Sequence, residues 1–143
     1  MYGALDISVS GLVAQRTRMD VIAANLANRD AIVDSSGQPN PFRRRIAVFM
    51  PGDPAATNPG GRDLGVRVSS IELDQSEFRK VYDPGNPYAR KKGQPDEGYV
   101  YFPNIDPVTE QVSSVEAVRA YEANVAAAEA TKAMIAQALR LLG

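Results

Sequence analysis

The chain contains no His and no Cys, so any chemistry it performs must come from carboxylates, hydroxyls, Lys or Tyr. The absence of His removes imidazole acid–base catalysis and His-ligated metal sites. The absence of Cys removes thiolate nucleophiles, zinc ribbons, iron–sulfur clusters and disulfides. The nearest thing to a catalytic carboxylate pair is Asp96-Glu97. Adjacent residues of an extended segment point to opposite faces, so this pair is a poor acid–base dyad and reads as a solvated loop. Gly60-Gly61 lacks both the Lys-Ser/Thr of a phosphate loop and a following helix. Asp74, Glu77 and Asp83 lack calcium-loop spacing. The expectation is a protein with no catalytic residue, no metal and no cofactor.

Charge and aromatic clusters read in the same way. Arg43-Arg44-Arg45 is the sharpest charge run. It reads first as a charged edge strand that blocks sheet-to-sheet pairing, with an anionic partner such as another subunit as the competing reading. Arg90-Lys91-Lys92 sits among Pro and Gly and reads as a solvated loop. Tyr82, Tyr88, Tyr99, Tyr101 and Phe102 read as the core of a small β unit before they read as a recognition face. Sixteen basic and 17 acidic residues leave a net charge of −1, which gives no electrostatic case for nucleic acid.

The elements carrying these residues divide the chain in three. Residues 2–28 read as a helix. Leu5, Leu12, Met19 and Leu26 recur every seventh residue, with Val9 and Ala23 beside them. Arg16 falls inside this stripe and must snorkel or pair if the face is buried. Residues 29–106 hold nine of the ten prolines and most of the glycines, with turn signals at 34–37, 39–41, 51–54 and 58–61. Strand-like runs lie between them: Phe42 to Met50; Leu64, Val66 and Val68; then Ile71 and Leu73 in the opposite phase; and Tyr99 to Phe102. The phase change predicts a bulge near Ser69-Ser70. The expectation is a small, loop-rich antiparallel β unit of about four strands.

Residues 107–142 read as one helix, opened by Asp106 as N-cap and Pro107 at the first position. Val118, Val125 and Leu139 hold one heptad position, with Lys132 as the exception. Tyr121, Ala128, Ile135 and Leu142 hold the other. Ten alanines lie between Ala117 and Ala138, small enough for helices to approach closely. About 36 helical residues span ~54 Å, against a mean helix of ~11–12 residues. A β unit of this size cannot cover such a helix, and the first helix covers one side only. The remaining apolar surface calls for other chains, so the sequence points to an assembling protein. No apolar run reaches the ~20 residues of a membrane span. No apolar stretch precedes a cleavage-type site, so no conventional secretory signal peptide is expected.

Several segments carry a resemblance. Ala24-Asn25-Leu26-Ala27-Asn28 resembles the Asn-Leu-Ala-Asn signature of flagellar axial proteins. Phe42-Arg43-Arg44 leads to Val48-Phe49, and Tyr82-Asp83-Pro84-Gly85-Asn86-Pro87 precedes Gly98-Tyr99-Val100. Pro103-Asn104-Ile105-Asp106, Thr109-Glu110 and Ala120-Tyr121-Glu122-Ala123-Asn124-Val125 follow. In this order the segments resemble flagellar basal-body rod proteins of the FlgC type, subunits of the proximal rod. Phe42 where Tyr is usual, Arg29 after the signature, and a long Pro- and Gly-rich stretch at 50–63 depart from the pattern.

The resemblance implies an α+β fold whose long terminal helices pair as a coiled coil. Residues 1–30 and 107–143 would form the inner assembly domain, and 31–106 a small β-rich outer domain. It implies a structural subunit that polymerises into a torque-transmitting shaft. Its partners would be other rod subunits, copies of itself and the flagellar type III export apparatus, with no nucleic acid and no membrane insertion. It implies a place in the basal body, reached without a cleaved signal peptide. The expected assembly residues are Leu5, Val9, Leu12, Met19, Ala23, Asn25, Leu26, Asn28, Val118, Tyr121, Val125, Ala128, Ile135, Leu139 and Leu142. Asn25 and Asn28 are expected to end the first helix. The rival readings are another rod component of the same superfamily and a soluble α+β export chaperone or adaptor.

Overall fold

A computed structural model describes residues 2–52 and 65–142, apart from the side chains at 2 and 142. Leu64, the 58–61 turn, part of the 51–54 turn, Gly60-Gly61 and the Leu142 side chain therefore lie outside the described residues. The order of elements is α1 (Tyr2–Ala27), β1 (Arg45–Pro51), β2 (Val66–Leu73), β3 (Arg79–Tyr82), β4 (Tyr99–Phe102) and α2 (Pro107–Leu142). The fold is α+β, with two helices and two small antiparallel sheets.

Both helix boundaries follow local chemistry. At the start of α2 the Asp106 carboxylate accepts from the N–H groups of Val108 and Thr109 at 3.2 and 3.3 Å. It also accepts from the Thr109 hydroxyl at 2.6 Å. These bonds satisfy donors that the first helical turn leaves free. The Thr109 hydroxyl and then the Val108 N–H hold this carboxyl below its ordinary range. At the end of α1, Asn28 donates twice to the Ala24 carbonyl, from Nδ2 at 2.8 Å and from its backbone N–H at 3.2 Å.

The two helices lie side by side and antiparallel. Asn25 meets Glu110, Arg18 meets Glu116 and Gly11 meets Asn124. On this register the beginning of α1 stands level with about residue 133, and roughly the last two turns of α2 run past it. The seam is made of small and polar side chains. Ser8, Gly11, Ala14, Val21, Ile22 and Asn25 are buried on α1, and Glu110 and Ala117 on α2. Asn124, Ala128, Thr131 and Ile135 continue the α2 side half-buried. Gly11 permits the approach, since a Cβ there would sit 2.7 Å from Asn124 Oδ1.

The β1–β2 hairpin lies along α1. Asn25 holds its first residue, Arg45, and Ser10 Oγ accepts from the Val66 N–H at 3.1 Å near the other end. The lengths match: seven strand residues cover ~20 Å, and the helix rises ~22 Å between those anchors. The register runs Val48↔Ser70 and then Phe49↔Val68, leaving Ser69 unpaired. This is the bulge expected at Ser69-Ser70, and it puts Ile71 and Leu73 out of phase with Val66 and Val68.

Residues 66–73 thus form one strand bent at this bulge. Three expectations for the β region need correction. The fourth strand is β3, whose Arg-Lys-Val-Tyr sequence offers no apolar alternation to read. It pairs with β4 in a second sheet, so the region holds two ribbons in place of one unit. The aromatic cluster is also not a core. Tyr82 is 65% exposed and Tyr88 and Tyr99 are also exposed, whereas Val100 is buried. A two-stranded ribbon has one covered face at most. Tyr82 and Tyr99 face each other across the strands with ring centroids 5.2 Å apart, and shield each other in solvent.

Candidate functional site

The most tightly determined place in the molecule is where α1, β1 and α2 meet. Glu110 is 0% exposed and Asn25 is 1% exposed, both polar side chains buried where the helices meet. Asn25 stands on the last full turn of α1, Glu110 on the first turn of α2, and Arg44 just before β1. Each brings what the others lack. Asn25 Nδ2 donates to Glu110 Oε2 at 3.0 Å and to the Arg45 carbonyl at 2.8 Å. Its Oδ1 accepts from the Arg45 N–H at 2.9 Å. The Asn25 amide thus pairs with Arg45 as a residue of a neighbouring strand would, and closes that edge of β1.

Glu110 turns its second oxygen to Arg44, whose Nε donates at 2.6 Å. Arg44 Nη1 reaches Asp74 Oδ2 at 3.4 Å. Burial disfavours the Arg44 charge, but Glu110 and then Asp74 outweigh it and raise its pKa above the ordinary guanidinium value. Asp74 is held below the carboxylate range, first by the Ser76 N–H and also by Arg44. Asn104, on the link from β4 to α2, closes the network from outside. Its Oδ1 accepts from the Arg44 N–H at 2.9 Å, and its Nδ2 donates to the Asp74 carbonyl at 3.1 Å and Ser76 Oγ at 2.8 Å. Arg43 donates to the Asp74 carbonyl at 3.0 Å and lies over the Phe78 ring at 4.3 Å.

The Arg43–Arg45 run is therefore neither a bare charged edge nor a free anion site. Arg44 is the counter-charge of a buried carboxylate, a role invisible without its partner 66 residues away. Asn25 was expected to end the helix and to take part in assembly, and within the chain it is the centre of the junction. Glu110, Arg44, Asp74 and Asn104 were not foreseen as a group. The one available signal was that Glu110 falls at the heptad position continued by Ala117 and Asn124.

Apart from Asn25, the expected assembly residues lie away from this junction. Leu5, Leu12, Met19 and Leu26 are half-buried, Val9 is 50% exposed and Ala23 is exposed. Their stripe is centred roughly 120° around α1 from the seam, at 100° per residue. Arg16, within that stripe, is exposed. On α2, Tyr121, Val125, Ala128 and Ile135 are half-buried, while Val118 and Leu139 are exposed. Asn28 is half-buried at its cap.

Among the described residues, the carboxylate pair singled out in the sequence does not form a reaction centre. Asp96 accepts from the Tyr101 hydroxyl and pairs with Lys80 at 3.0 Å, while Glu97 accepts from the Gly93 N–H at 3.1 Å. The two carboxylates thus serve different loop contacts. A cleft of about 710 Å³ between the 32–41 and 87–101 segments is lined by Phe78, Tyr88, Arg90 and Tyr101 among others, without a carboxylate. Among the described residues no acidic cluster could hold a metal, and no helix is long and apolar enough to cross a membrane.

Comparison with known proteins gives this architecture a family. Residues 5–31, which contain Asn25, match the family described as flagella basal body rod protein. Residues 96–141, which contain Glu110, match the C-terminal family of flagellar basal body rod FlgEFG proteins. A protein of Bacillus subtilis described as flagellar basal-body rod protein FlgC is 40% identical, over 98% of this chain and 97% of its own length. Proteins of the same description are 40% identical in Yersinia enterocolitica and 37% in Borreliella burgdorferi, each over 99% of this chain and 97% of the relative. The chain belongs to the FlgC family of flagellar basal-body rod proteins, which are structural subunits of the flagellum and not enzymes.

Proposed function

We propose that this rod subunit assembles through its terminal helices, which join those of neighbouring subunits as a coiled-coil inner layer. Residues 1–30 and 107–143 form that layer, and residues 31–106 form the β-rich outer part. The observation that carries the reading is the displacement of the apolar stripe from the seam. Within one chain the α1–α2 contact uses Ser8, Gly11, Ala14 and Asn25, which leaves Leu5, Val9, Leu12, Met19, Ala23 and Leu26 on a flank. Val118 and Leu139 are similarly left on α2. Leaving two such stripes in water forgoes about 25 cal/mol for each Å² of apolar surface, which packing against other subunits recovers. Interlocked helices in several subunits resist twisting together, which is how a shaft transmits torque.

The partners are other rod subunits and copies of this chain. Delivery through the flagellar type III export apparatus, without a cleaved signal peptide, places the protein in the periplasm-spanning rod of the basal body. The test is complementation of a deletion strain with Leu12→Asp and Leu139→Asp, scored by motility and by electron microscopy of basal bodies. A buried, uncompensated carboxylate costs several kcal/mol, so both variants are expected to stop at incomplete rods while keeping their helical circular dichroism. Normal motility in both overturns the stripe assignment.

A further inference from the structure

The flank that the hairpin leaves uncovered belongs to both helices. Ser10 and Val21 on α1 and Ser113 on α2 mark the side where the hairpin lies. At 100° per residue, Leu5, Leu12, Met19 and Leu26 turn to the opposite side of the pair. The helices are antiparallel, so Val118, Val125 and Leu139 of α2 turn to that same side. Half-buried or exposed, these residues make one apolar flank.

The charges at this flank differ between the helices. On α1 the stripe carries Arg16. On α2 its outer edge carries Glu122 and Glu129. All three are exposed, and among the described residues none of them makes an ion pair. Arg18 shows the contrast: it lies toward the seam and pairs with Glu116 of its own chain at 3.1 Å. Covering the flank with apolar surface alone would bury the Arg16 guanidinium without a counter-charge, which is strongly unfavourable. Whatever covers the flank must bring Arg16 a carboxylate.

A second α1 cannot supply one. Its acidic residues, Asp20 and Asp6, lie about 40° and 80° farther from the stripe than Arg16, on the water side. The α2 of a second copy can. Leu12 and Met19 are seven residues apart, and so are Val118 and Val125. Laid antiparallel, with Leu12 on Val125 and Met19 on Val118, the two stripes put Arg16 level with Tyr121 and one residue from Glu122. Arg16 and Glu122 each stand on the edge of their stripe away from the seam, and those edges meet in an antiparallel pair. Lys132 then falls level with Leu5, where its stem can turn to the rim. A shift of one heptad would instead press Lys132 on Leu12 in the middle of the contact. Setting α2 antiparallel on a second α2 stacks Glu129 on Glu129 in one heptad and Lys132 on Lys132 in the next.

We infer that the α1 flank of one copy docks on the α2 flank of a second copy, with Arg16 paired to Glu122 across the contact. The inference rests on the assembly reading above and names the partner of that surface. The two halves of the contact are different surfaces, so it is heterologous and can be repeated from copy to copy.

Charge reversal in the complemented deletion strain tests the pairing. Arg16→Glu and Glu122→Arg each set like charges at the contact, and each is expected to reduce motility at least about tenfold. Both residues are exposed in the single chain, so the purified variants should keep their helical circular dichroism and melting midpoint. The chain carrying both reversals is expected to regain most of the motility. Normal motility in both single variants overturns the pairing, as does a double variant no better than the worse single one.

The partner is identified by co-expressing differently tagged Arg16→Cys and Glu122→Cys chains and treating isolated basal bodies with a short bis-maleimide. The natural chain has no cysteine, so a link between the two tags reports the proposed contact. Same-tag dimers in excess, or no link between copies, overturn it. Failure of the assembly reading looks different, because Leu12→Asp and Leu139→Asp would then leave motility normal. If those variants stop the rod while the double reversal restores nothing, the flank stands and this pairing falls.

Discussion

The two ends of the helix pair are built on opposite principles. At the end holding Asn25 and Glu110, both amide atoms of Asn25 and both carboxylate oxygens of Glu110 have partners, and two other chain segments converge on that carboxylate. At the other end the contacts are between small or half-buried side chains, and Leu139 is 66% exposed. The first end is expensive to assemble and tolerates few alternatives. The second is permissive and unfinished. A subunit that has to be one shape before it meets its neighbours, and has to bind them afterwards, needs both kinds of surface. Placing them at opposite ends of one helix pair keeps the two requirements from conflicting.

Substitutions should separate the ends. The largest effect is expected for Glu110→Ala. It leaves Arg44 with a weaker 3.4 Å contact to Asp74 and strips Asn25 of its side-chain acceptor. Breaking a buried pair from one side costs about 3 kcal/mol, which a urea melt will read as a lower midpoint. A melt that does not move would mean that the two ends are alike.

Asn25→Asp asks the same question through pH. It sets a second carboxylate where Nδ2 now donates to Glu110 at 3.0 Å. Two carboxylates so close cannot both ionise cheaply, so the pKa of the pair is raised in the folded state. Protonation relieves the repulsion. The loss of stability relative to the natural chain should therefore be greatest near neutral pH and shrink as pH falls. The Asp106 cap runs the other way. Its folded pKa is lowered, so its stabilisation is present above the unfolded carboxyl pKa of about 3.9 and disappears as pH falls through the folded value. Asp106→Ala should flatten that acid limb of the stability profile.

Gly11→Ala probes the middle of the seam. The new methyl meets Asn124 at 2.7 Å and should cost about 1–2 kcal/mol through overpacking. Combining it with Asn124→Ala should restore most of the loss, and a strictly additive double variant would refute the close-contact reading. The smallest effect on the isolated chain belongs to the far end. Leu139→Ser and Leu141→Ser should lie within about 0.5 kcal/mol of the natural protein.

These contrasts also explain what could be read from sequence. The helix limits were legible because caps are local: Asp106-Pro107 and Asn28 act within four residues of themselves. The Ser69 bulge was legible because a change of alternation phase has one geometrical meaning. The seam was not. Hydrophobic periodicity picks out the leucine stripe, whereas the helices meet on Gly, Ser, Ala and Asn, which that signal does not weigh. The junction was further hidden by distance along the chain, since Asn25 and Glu110 are 85 residues apart. β3 was missed because two of its four residues are charged and all four are exposed.

That separation has a kinetic meaning. Closing the helix pair means closing a loop of 85 to 98 residues, with the hairpin inside it. The entropy of such a closure grows only slowly with length, yet it must be met before any seam contact repays it. A chain that emerges N-terminus first, from a ribosome or a narrow channel, has α1 waiting until nearly everything else has appeared. Its final structure is unavailable to it in transit. The topology is in this sense a clock: the two halves of the seam cannot meet until the last element has been delivered.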